Sequence, residues 1–246
     1  MFNFFSKKKS PFIQHPVRIG TDLHSHLIPC IDDGAKSDEE ALGLVRSLQS
    51  LGYTKCITTP HIYQGVHNNS KEKILTGLEK LRSLLDQHRI TMQIEAAAEY
   101  YFDEQFFQLI EENNLMTFGK NYVLFELPFN NKPLMLADII FKMNVAGYQP
   151  VLAHPERYTF FHERKMEEYQ KLKNAGVLFQ LNLMSLAGYY GEPCKEYAYV
   201  LLKNNMVDFA GSDLHREKHL PAIESALHDR LLAEYFSSGK LLNHTL

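Results

Sequence analysis

Residues 21–26 read Thr-Asp-Leu-His-Ser-His, and this stretch decides the fold class because its pattern returns along the chain. Its first part, Thr21–His24, is typical of a short β-strand, and further polar side chains follow at once. Side chains two residues apart in a strand point the same way, so His24 and His26 can reach one ion. The stretch therefore predicts a strand that ends in a metal-binding position.

The same unit of strand, polar loop and helix recurs without a break. Val, Ile, Leu and Phe dominate the strand runs without strict alternation, as in strands covered on both faces. The runs are Thr21–His24, Lys55–Thr59, Thr91–Ala98, Tyr122–Glu126, Pro150–Ala153, Leu178–Asn182 and Phe209–Gly211. Seven βα units predict an α/β fold with a closed parallel barrel, and an open doubly wound sheet is the alternative. No Gly-rich phosphate loop follows the first strand, which counts against nucleotide binding.

Helical patterns separate the strand runs. Ser37 and Glu40 form a capping box that predicts the start of the first helix. Apolar stripes at helical spacing follow there and in two later segments: Ala41, Leu44, Val45, Leu48 and Leu51; Ile74, Leu78, Leu81 and Leu85; Leu136, Ile139, Ile140 and Met143. We expect these stripes to face the core.

Composition sets the broad class. The chain has 246 residues, of which 45% are hydrophobic and 22% charged, with a net charge of −3. This balance excludes a mainly disordered chain, and the lack of basic excess counts against nucleic acid as a partner. The 3 cysteines are too few and too scattered for a disulfide framework, which favours a cytoplasmic location.

No apolar run approaches the length of a spanning helix, and no linker divides the chain. We expect residues 1–18 to form an N-terminal tail and residues 19–246 a single domain. The start, MFNFFSKKKS, is interpreted as a solvated tail, with peripheral adhesion to an anionic membrane as the alternative.

Six of the seven strand runs finish on His, Asp or Glu. The carboxyl ends of parallel barrel strands meet at one face, where functional residues lie. An unpaired charge after an apolar strand is costly to bury, and several cations at one barrel mouth would remove that cost. The conjunction predicts a multinuclear metal site, whereas each residue alone is compatible with an ordinary buried position. The remaining histidines, including His67 and His219, are assigned to the surface.

These motifs in this order resemble the PHP (polymerase and histidinol phosphatase) superfamily, and more narrowly its bacterial CpsB/YwqE-type tyrosine-protein phosphatases. The segments that carry the resemblance are D-L-H-S-H at 22–26, I-D-D-G at 31–34, T-T-P-H at 58–61, A-A-E at 97–99, F-E at 125–126, A-H-P-E-R-Y at 153–158 and G-S-D-L-H at 211–215. The resemblance implies a distorted (β/α)7 barrel of the PHP type, with the metal site at the C-terminal ends of the strands.

The resemblance also implies three divalent ions, usually Mn²⁺, with Mg²⁺ or iron as alternatives. Matched by motif, the ligands of the first ion would be His24, His26, Glu99 and Asp213. Glu99 would bridge to a second ion held by Glu126 and His154, and Asp33, His61 and His215 would hold the third. Asp32 competes with Asp33 for its place, and either aspartate can instead end a turn with Gly34.

The activity implied is hydrolysis of phosphotyrosine by a metal-activated hydroxide, without a covalent enzyme intermediate. Arg157 and His215 would be catalytic, with Arg157 gripping the phosphoryl oxygens and Tyr101 beside the substrate ring. Tyr100 and Tyr158 are further candidates for the pocket border. Arg216 comes earlier than the family's second arginine, so it is assigned to substrate binding only by its position. Separately, Cys30 stands where relatives often carry glycine.

Other functions stay open at this point. A histidinol-phosphate or other small-molecule phosphatase is the nearest alternative, followed by an amidohydrolase and a non-catalytic partner of a tyrosine kinase. A cysteine phosphatase is excluded because no arginine stands six residues after Cys30, Cys56 or Cys194. The implied partner is a tyrosine-phosphorylated protein, in particular a bacterial tyrosine kinase of capsule or exopolysaccharide synthesis.

Overall fold

A computed structural model describes residues 12–162 and 166–246. Its strands are β1 (Thr21–Asp22), β2 (Lys55–Thr58), β3 (His61–Ile62), β4 (Gln93–Ala96), β5 (Glu99–Tyr101), β6 (Tyr122–Glu126), β7 (Gln149–Ala153), β8 (Leu178–Asn182) and β9 (Phe209–Gly211). The helices are α1 (Asp38–Ser50), α2 (Lys71–Gln87), α3 (Glu104–Glu111), α4 (Leu136–Val145), α5 (Thr159–His162), α6 (Glu167–Asn174), α7 (Leu183–Leu186), α8 (Glu192–Lys203), α9 (Leu220–Leu227) and α10 (Arg230–Ser237). Short 3₁₀ turns cover Pro155–Arg157, Glu217–His219 and Leu242–Thr245.

The strands form two parallel sheets. One has the order β1-β2-β4 and the other β3-β5-β6-β7-β8-β9. The predicted runs Lys55–Thr59 and Thr91–Ala98 contain β2 and β4, but each stretch of chain continues into a second short strand, β3 or β5, which lies in the other sheet. Pro60 interrupts the first stretch, since proline has no N–H for a ladder hydrogen bond. Its carbonyl accepts a hydrogen bond from Glu99 N at 3.1 Å, at the start of β5.

Backbone contacts also join the first and last strand segments. Ser25 and Leu214 form a parallel bridge, and Asp213 N donates to the His24 carbonyl at 2.7 Å. The Ser212 hydroxyl and backbone N–H both donate to the Asp22 carboxylate. Because His24 pairs with this segment rather than with β2, β1 ends at Asp22 and not at His24 as expected. The architecture is mixed α/β with parallel sheets.

The predicted helical stripes face the core. Ser37 caps α1 by accepting a hydrogen bond from Glu40 N at 3.2 Å. The buried side chains of α1, α2 and α4 include the apolar stripes expected for these helices, except Leu51, which follows α1 as its C-cap and is half-buried. All five residues of β6 are buried; the apolar run Tyr122–Phe125 indicates this for the first four, and the buried fifth residue is the carboxylate Glu126. Packing on both faces leaves the strand ends as the place where polar side chains gather.

The described part of the expected N-terminal tail lies against α9. Ile13 N donates to the His228 carbonyl at 2.9 Å, and Val17 N donates to that of Leu227 at 2.8 Å. Residues 1–11, including the stretch with the alternative membrane interpretation, lie outside the described residues. Among residues 12–162 and 166–246, we find no helix with the length and apolar character that crossing a membrane requires.

Candidate metal centre

The strand ends bring eight of the nine predicted metal-ligand side chains to one buried locus. His24 and His26 follow β1, His61 begins β3, Glu99 begins β5 and Glu126 ends β6. His154 follows β7, and Asp213 and His215 follow β9. The ninth, Asp33, comes from the loop before α1, and its side chain is 52% exposed. Six of these eight residues thus end or follow a strand, whereas His61 and Glu99 lie at the start of the short strands β3 and β5.

One group consists of His24, His26 and Asp213. Asp213 Oδ1 lies 3.3 Å from His24 Nε2 and 3.6 Å from His26 Nε2. Glu99 Oε2 lies 3.2 Å and 3.5 Å from the same two nitrogens. All four side chains are buried, so their donor atoms point at a shared volume that bulk water does not fill. The set matches the one expected for the first ion.

The second group centres on Glu99 and Glu126. His61 Nδ1 lies 3.1 Å from Glu99 Oε2 and 3.4 Å from Glu126 Oε1. His154 Nε2 lies 3.2 Å from Glu99 Oε1 and 3.9 Å from Glu126 Oε2. Both histidines therefore face the carboxylate pair, whereas the motif assigned only His154 to it.

The third group consists of His26, Asp33, His61 and His215. Asp33 Oδ1 lies 3.6 Å from His61 Nε2 and 3.4 Å from His215 Nε2. His26 and His215 stack with ring centroids 3.7 Å apart. This group contains the three side chains expected for the third ion, and it adds His26.

Unsatisfied polar atoms show that the locus suits cations. The Nε2 atoms of His24 and His26 and the Nδ1 atom of His61 lie 3.1–3.5 Å from Glu99 Oε2. All four atoms are buried, and none of them makes an aligned hydrogen bond with a described residue. A buried polar atom without a partner costs free energy. Imidazole nitrogens and carboxylate oxygens are the ligands that Mn²⁺, Fe²⁺, Zn²⁺ and Mg²⁺ take to differing degrees. The donor set therefore fits divalent metal ions.

The electrostatics of the cluster also reflect crowded charges. Burial and the neighbouring Glu99 carboxylate raise the pKa of Glu126 well above its usual value. Burial opposes protonation of His24, but attraction to Glu99 and Asp213 outweighs it and raises the pKa of His24 to about 9. Burial lowers the pKa of His61 to about 4 and that of His154 to about 4. Without cations, the cluster must share protons to remain buried.

A surrounding layer of hydrogen bonds orients two of the histidines. His24 Nδ1 pairs with Gln180 Oε1 at 2.8 Å, and His26 Nδ1 pairs with Asp32 Oδ2 at 2.8 Å. Each bond uses Nδ1–H and leaves Nε2 free to coordinate a metal. Asp32 also accepts hydrogen bonds from Gly34 N and His61 N. Asp32 therefore holds the loop and His26, and Asp33 is the aspartate that faces His61 and His215.

Sequence reasoning missed Gln180 and Asn182. Both lie on β8, the one predicted strand that does not end in His, Asp or Glu. Asn182 Nδ2 donates to Asp213 Oδ2 at 2.7 Å. The signal for these supporting residues was an amide side chain at the end of an apolar strand, the position where the other strands carry metal-type residues.

A cavity of about 390 Å³ opens above the cluster. Arg157 lines it, with Nη1 3.3 Å from Asp213 Oδ2. Two aromatic rings lie over its guanidinium, Tyr190 at 4.0 Å and Phe129 at 4.7 Å from Cζ to the ring centroid. Arg216 lines the same cavity and donates through Nη2 to the Asp33 carbonyl at 2.9 Å. Neither Phe129 nor Tyr190 was predicted from the sequence.

The predicted tyrosines lie differently from expectation. Tyr63 lines the cavity, and Tyr101 stacks on it with the ring centroids 3.8 Å apart. The prediction that Tyr100 and Tyr158 border the pocket is wrong. Both are buried, and their hydroxyls accept hydrogen bonds from Met116 N and Leu127 N.

The assignment of His67 and His219 to the surface is also wrong. His219 is 8% exposed, and its Nδ1 accepts a hydrogen bond from His215 N at 3.3 Å. His67 lines the cavity, with Nε2 3.9 Å from Asp33 Oδ1. Both positions depend on contacts made in the folded chain, which residue type and local pattern do not indicate.

Comparison with known proteins places this site in a family. The model of the CpsB/CapC family, described as capsular polysaccharide synthesis, matches residues 20–233. The chain belongs to the CpsB/CapC family. The resemblance to CpsB/YwqE-type proteins is thereby confirmed.

Two curated relatives in the CpsB/CapC family are similar over most of their length. The tyrosine-protein phosphatase YwqE of Bacillus subtilis is 28% identical, over 80% of this chain and 78% of its own. The tyrosine-protein phosphatase CpsB of Streptococcus pneumoniae is 25% identical, over 87% of this chain and 90% of its own. A solved structure from work on YwqE and CpsB, described as metal-dependent tyrosine phosphatases, aligns with a TM-score of 0.79 at 25% identity. It covers 92% of this chain and 94% of the other.

Proposed function

We propose that this CpsB/CapC-family chain is a metal-dependent protein-tyrosine phosphatase. One observation carries the proposal: unpartnered imidazole and carboxylate atoms converge beneath a cavity whose wall presents the Arg157 guanidinium. A cationic cluster and a forked cation are what a phosphate monoester dianion needs. The names and descriptions of the relatives support the same activity.

The metal ligands proposed are His24, His26, Asp33, His61, Glu99, Glu126, His154, Asp213 and His215. We propose that they hold three divalent ions, with Mn²⁺ as the preferred metal and Mg²⁺ or iron as alternatives. Bound divalent cations neutralise phosphate charge and bring the pKa of water towards neutrality. The contacts between the first and last strand segments support the further proposal that the two sheets close into a distorted (β/α)7 barrel.

The chain's own residues would bind and orient the substrate. Arg157 would bind non-bridging phosphoryl oxygens through its fork, with Arg216 lining the same cavity. His215 lies on the cavity wall beside Asp33, and with Arg157 it would form the pair of catalytic residues. Tyr63 and Phe129 present rings to the cavity that suit an aryl group, with Tyr101 supporting Tyr63 from behind.

Leaving-group chemistry supports an aryl phosphate. The phenol that leaves has a pKa of about 10, well below the pKa of an alcohol. Protonation of the leaving oxygen by a strong general acid therefore matters less for an aryl phosphate. Arg157 lies beside Asp213, and its guanidinium remains protonated at any ordinary pH. The proposed part of Arg157 in the reaction is therefore to stabilise negative charge.

The biological setting is proposed from the family. The description of the CpsB/CapC family supports a role in capsule or exopolysaccharide synthesis, with a tyrosine-phosphorylated protein such as a bacterial tyrosine kinase as substrate. We also propose that residues 19–246 form one domain and that it acts in the cytoplasm.

The test measures phosphate release from a phosphotyrosine peptide and from histidinol phosphate. The protein is stripped of metal, reloaded with Mn²⁺ and compared with a His24→Ala/His26→Ala variant. We expect Mn²⁺-dependent release from the peptide that the double variant loses. Release from histidinol phosphate alone would assign the chain to the small-molecule phosphatases. No release from either substrate by a metal-loaded protein would contradict the phosphatase activity and favour a binding role.

A further inference from the structure

Tyr190 contacts the phosphate-binding arginine and a predicted metal ligand at once. Its ring centroid lies 4.0 Å from Arg157 Cζ. Its hydroxyl lies 3.3 Å from Asp213 Oδ2, to which it donates a hydrogen bond. The side chain is half-buried on the cavity wall, where a cation over an aromatic ring is attracted more strongly than in open water.

The hydroxyl of Tyr190 is itself held in place. Asn182 Nδ2 donates to it at 3.2 Å and to Asp213 Oδ2 at 2.7 Å. Arg157 Nη1 adds a third donor to the same carboxylate oxygen at 3.3 Å. Three donors thus fix Asp213 Oδ2, while Oδ1 of the same carboxylate faces His24 and His26.

The base of this network is a buried carboxylate. Glu156 Oε1 accepts hydrogen bonds from Asn182 N at 3.0 Å and from the Ser185 hydroxyl at 2.7 Å. Glu156 is fully buried, so Asn182 is anchored on a part of the fold that solvent does not reach. The chain of contacts therefore runs from the core through Asn182 and Tyr190 to Arg157.

We propose that Tyr190 is a positioning residue that preorganises Arg157 for phosphate, an inference that rests on the proposed function. An arginine side chain has many rotamers, and fixing one on binding costs free energy. The Tyr190 ring and its anchored hydroxyl fix that rotamer before the phosphate arrives. Tyr190 acts through Arg157 and contacts no reacting atom.

The test is a double-mutant cycle read out by phosphate binding. The dissociation constant of inorganic phosphate is measured by calorimetry on the metal-loaded full chain. Tyr190→Leu should raise it about tenfold, the size of a desolvated cation–π contact with its hydrogen bond. In an Arg157→Ala background, Tyr190→Leu should change it less than about twofold, because the residue through which it acts is gone. Tyr190→Phe should fall between the wild type and Tyr190→Leu.

Tyr235→Phe is the matched control. Its hydroxyl donates to the Val207 carbonyl at 2.6 Å and does not line the cavity, so phosphate affinity should not change. Equal effects of Tyr190→Leu with and without Arg157, or no effect of Tyr190→Leu, would overturn the proposal. If Tyr190→Leu does not fold or loses metal, Tyr190→Phe takes its place in the cycle. An unchanged dissociation constant of inorganic phosphate in Tyr190→Phe would then overturn the proposal.

The two proposals fail separately. Loss of the proposed function would appear as a metal-loaded wild type that releases no phosphate from the phosphotyrosine peptide. Loss of the positioning role would appear as an active wild type whose affinity for inorganic phosphate does not depend on Tyr190.

Discussion

The two carboxylate oxygens of Asp213 face different parts of the site. Oδ1 lies within 3.6 Å of His24 and His26, and Oδ2 within 3.3 Å of Arg157 and Asn182. A single side chain therefore couples the arrangement of the metal-type residues to that of the Arg157 guanidinium, which is proposed to bind phosphate. Burial opposes ionisation of Asp213, but the charges of His24, His215 and Arg157 keep its pKa below the usual value.

Arg157 is the residue whose removal should separate substrate binding from metal binding. Arg157→Ala should lower kcat/KM for a phosphotyrosine peptide at least about tenfold, because a forked charge-assisted contact is lost. Metal content should not change, since the nine proposed ligands do not include Arg157. Arg46→Ala, on the exposed face of α1, is the control for loss of positive charge. Near-normal turnover by Arg157→Ala would remove its proposed role.

Asp32 should support metal binding without contacting a metal. Asp32→Asn weakens the hold on His26 Nδ1, and loss of such a partner typically lowers metal affinity about 10- to 100-fold. Chelator competition on the purified protein measures the affinity. Asp86→Asn, an exposed change of the same kind on α2, should leave it unaltered. Equal affinity in Asp32→Asn and the wild type would mean that His26 needs no such partner.

The gathering of metal-type residues could be predicted from the sequence, because strand ends of a parallel sheet meet wherever the sheet forms; the assignment of particular ligands to three ions was implied only by the resemblance to CpsB/YwqE-type phosphatases. The supporting residues were harder to find. Gln180, Asn182 and Tyr190 are not metal-type residues, and their roles depend on bonds to side chains more than 20 positions away in the sequence. Asp32 and Asp33 are adjacent, and only their hydrogen bonds distinguish their positions.

At the scale of elements, the loop from Pro29 to Lys36 must approach β1 closely. Gly34 N donates to Asp32 Oδ1 at 2.9 Å, and a Cβ at Gly34 would lie 2.5 Å from His26 Cβ. The second neighbour is the backbone of His26, which cannot rotate away. Glycine at this position therefore lets the loop carry Asp33 over the histidines.

Gly34→Ala should displace this loop and lower both metal content and thermal stability. Gly43→Ala is the matched control, because a Cβ there meets nothing within 4 Å on helix α1. It should stabilise the helix by up to about 1 kcal/mol, the usual difference between alanine and glycine. Metal analysis and thermal unfolding of both variants measure the contrast. An unchanged metal content in Gly34→Ala would show that the loop tolerates the extra carbon.

Strand existence was predictable and strand limits were not. The apolar runs correctly indicate the strands, because burial on both faces leaves that signature. The short strands β3 and β5, which follow two of these runs and belong to the other sheet, were not predicted. Pro60 marks the break before β3, whereas the Ala97–Ala98 break before β5 has no comparable signal.

At the scale of the whole molecule, metal removal should make stability fall as pH rises. The pKa of His24 is raised to about 9, above the ordinary value of 6.5. A raised pKa in the folded state stabilises the protein fully below 6.5, and this contribution is lost as pH rises through 9. The raised pKa of Glu156, about 7, acts in the same direction over the lower part of this range.

The metal-loaded protein should behave differently over the same range. Metals compete with protons for imidazole and carboxylate, so their binding strengthens with pH. The difference in Tm between the Mn²⁺-loaded and metal-free protein should therefore grow from pH 6.5 to 9. Thermal unfolding in matched buffers with and without a chelator measures it. A difference that shrinks with pH would contradict the assignment of His24 to the metal cluster.

The hydrogen bonds between Asp22 and Ser212 join residues 190 positions apart. Closing so long a loop carries an entropic cost that only later contacts offset. During synthesis, β1 therefore emerges long before its partner and must wait with His24 and His26 unpaired. The ribosome must pass Asp213 before the group of His24, His26 and Asp213 can assemble, so the proposed metal site can form only late in synthesis. A chain cut short before that residue lacks one of the proposed ligands.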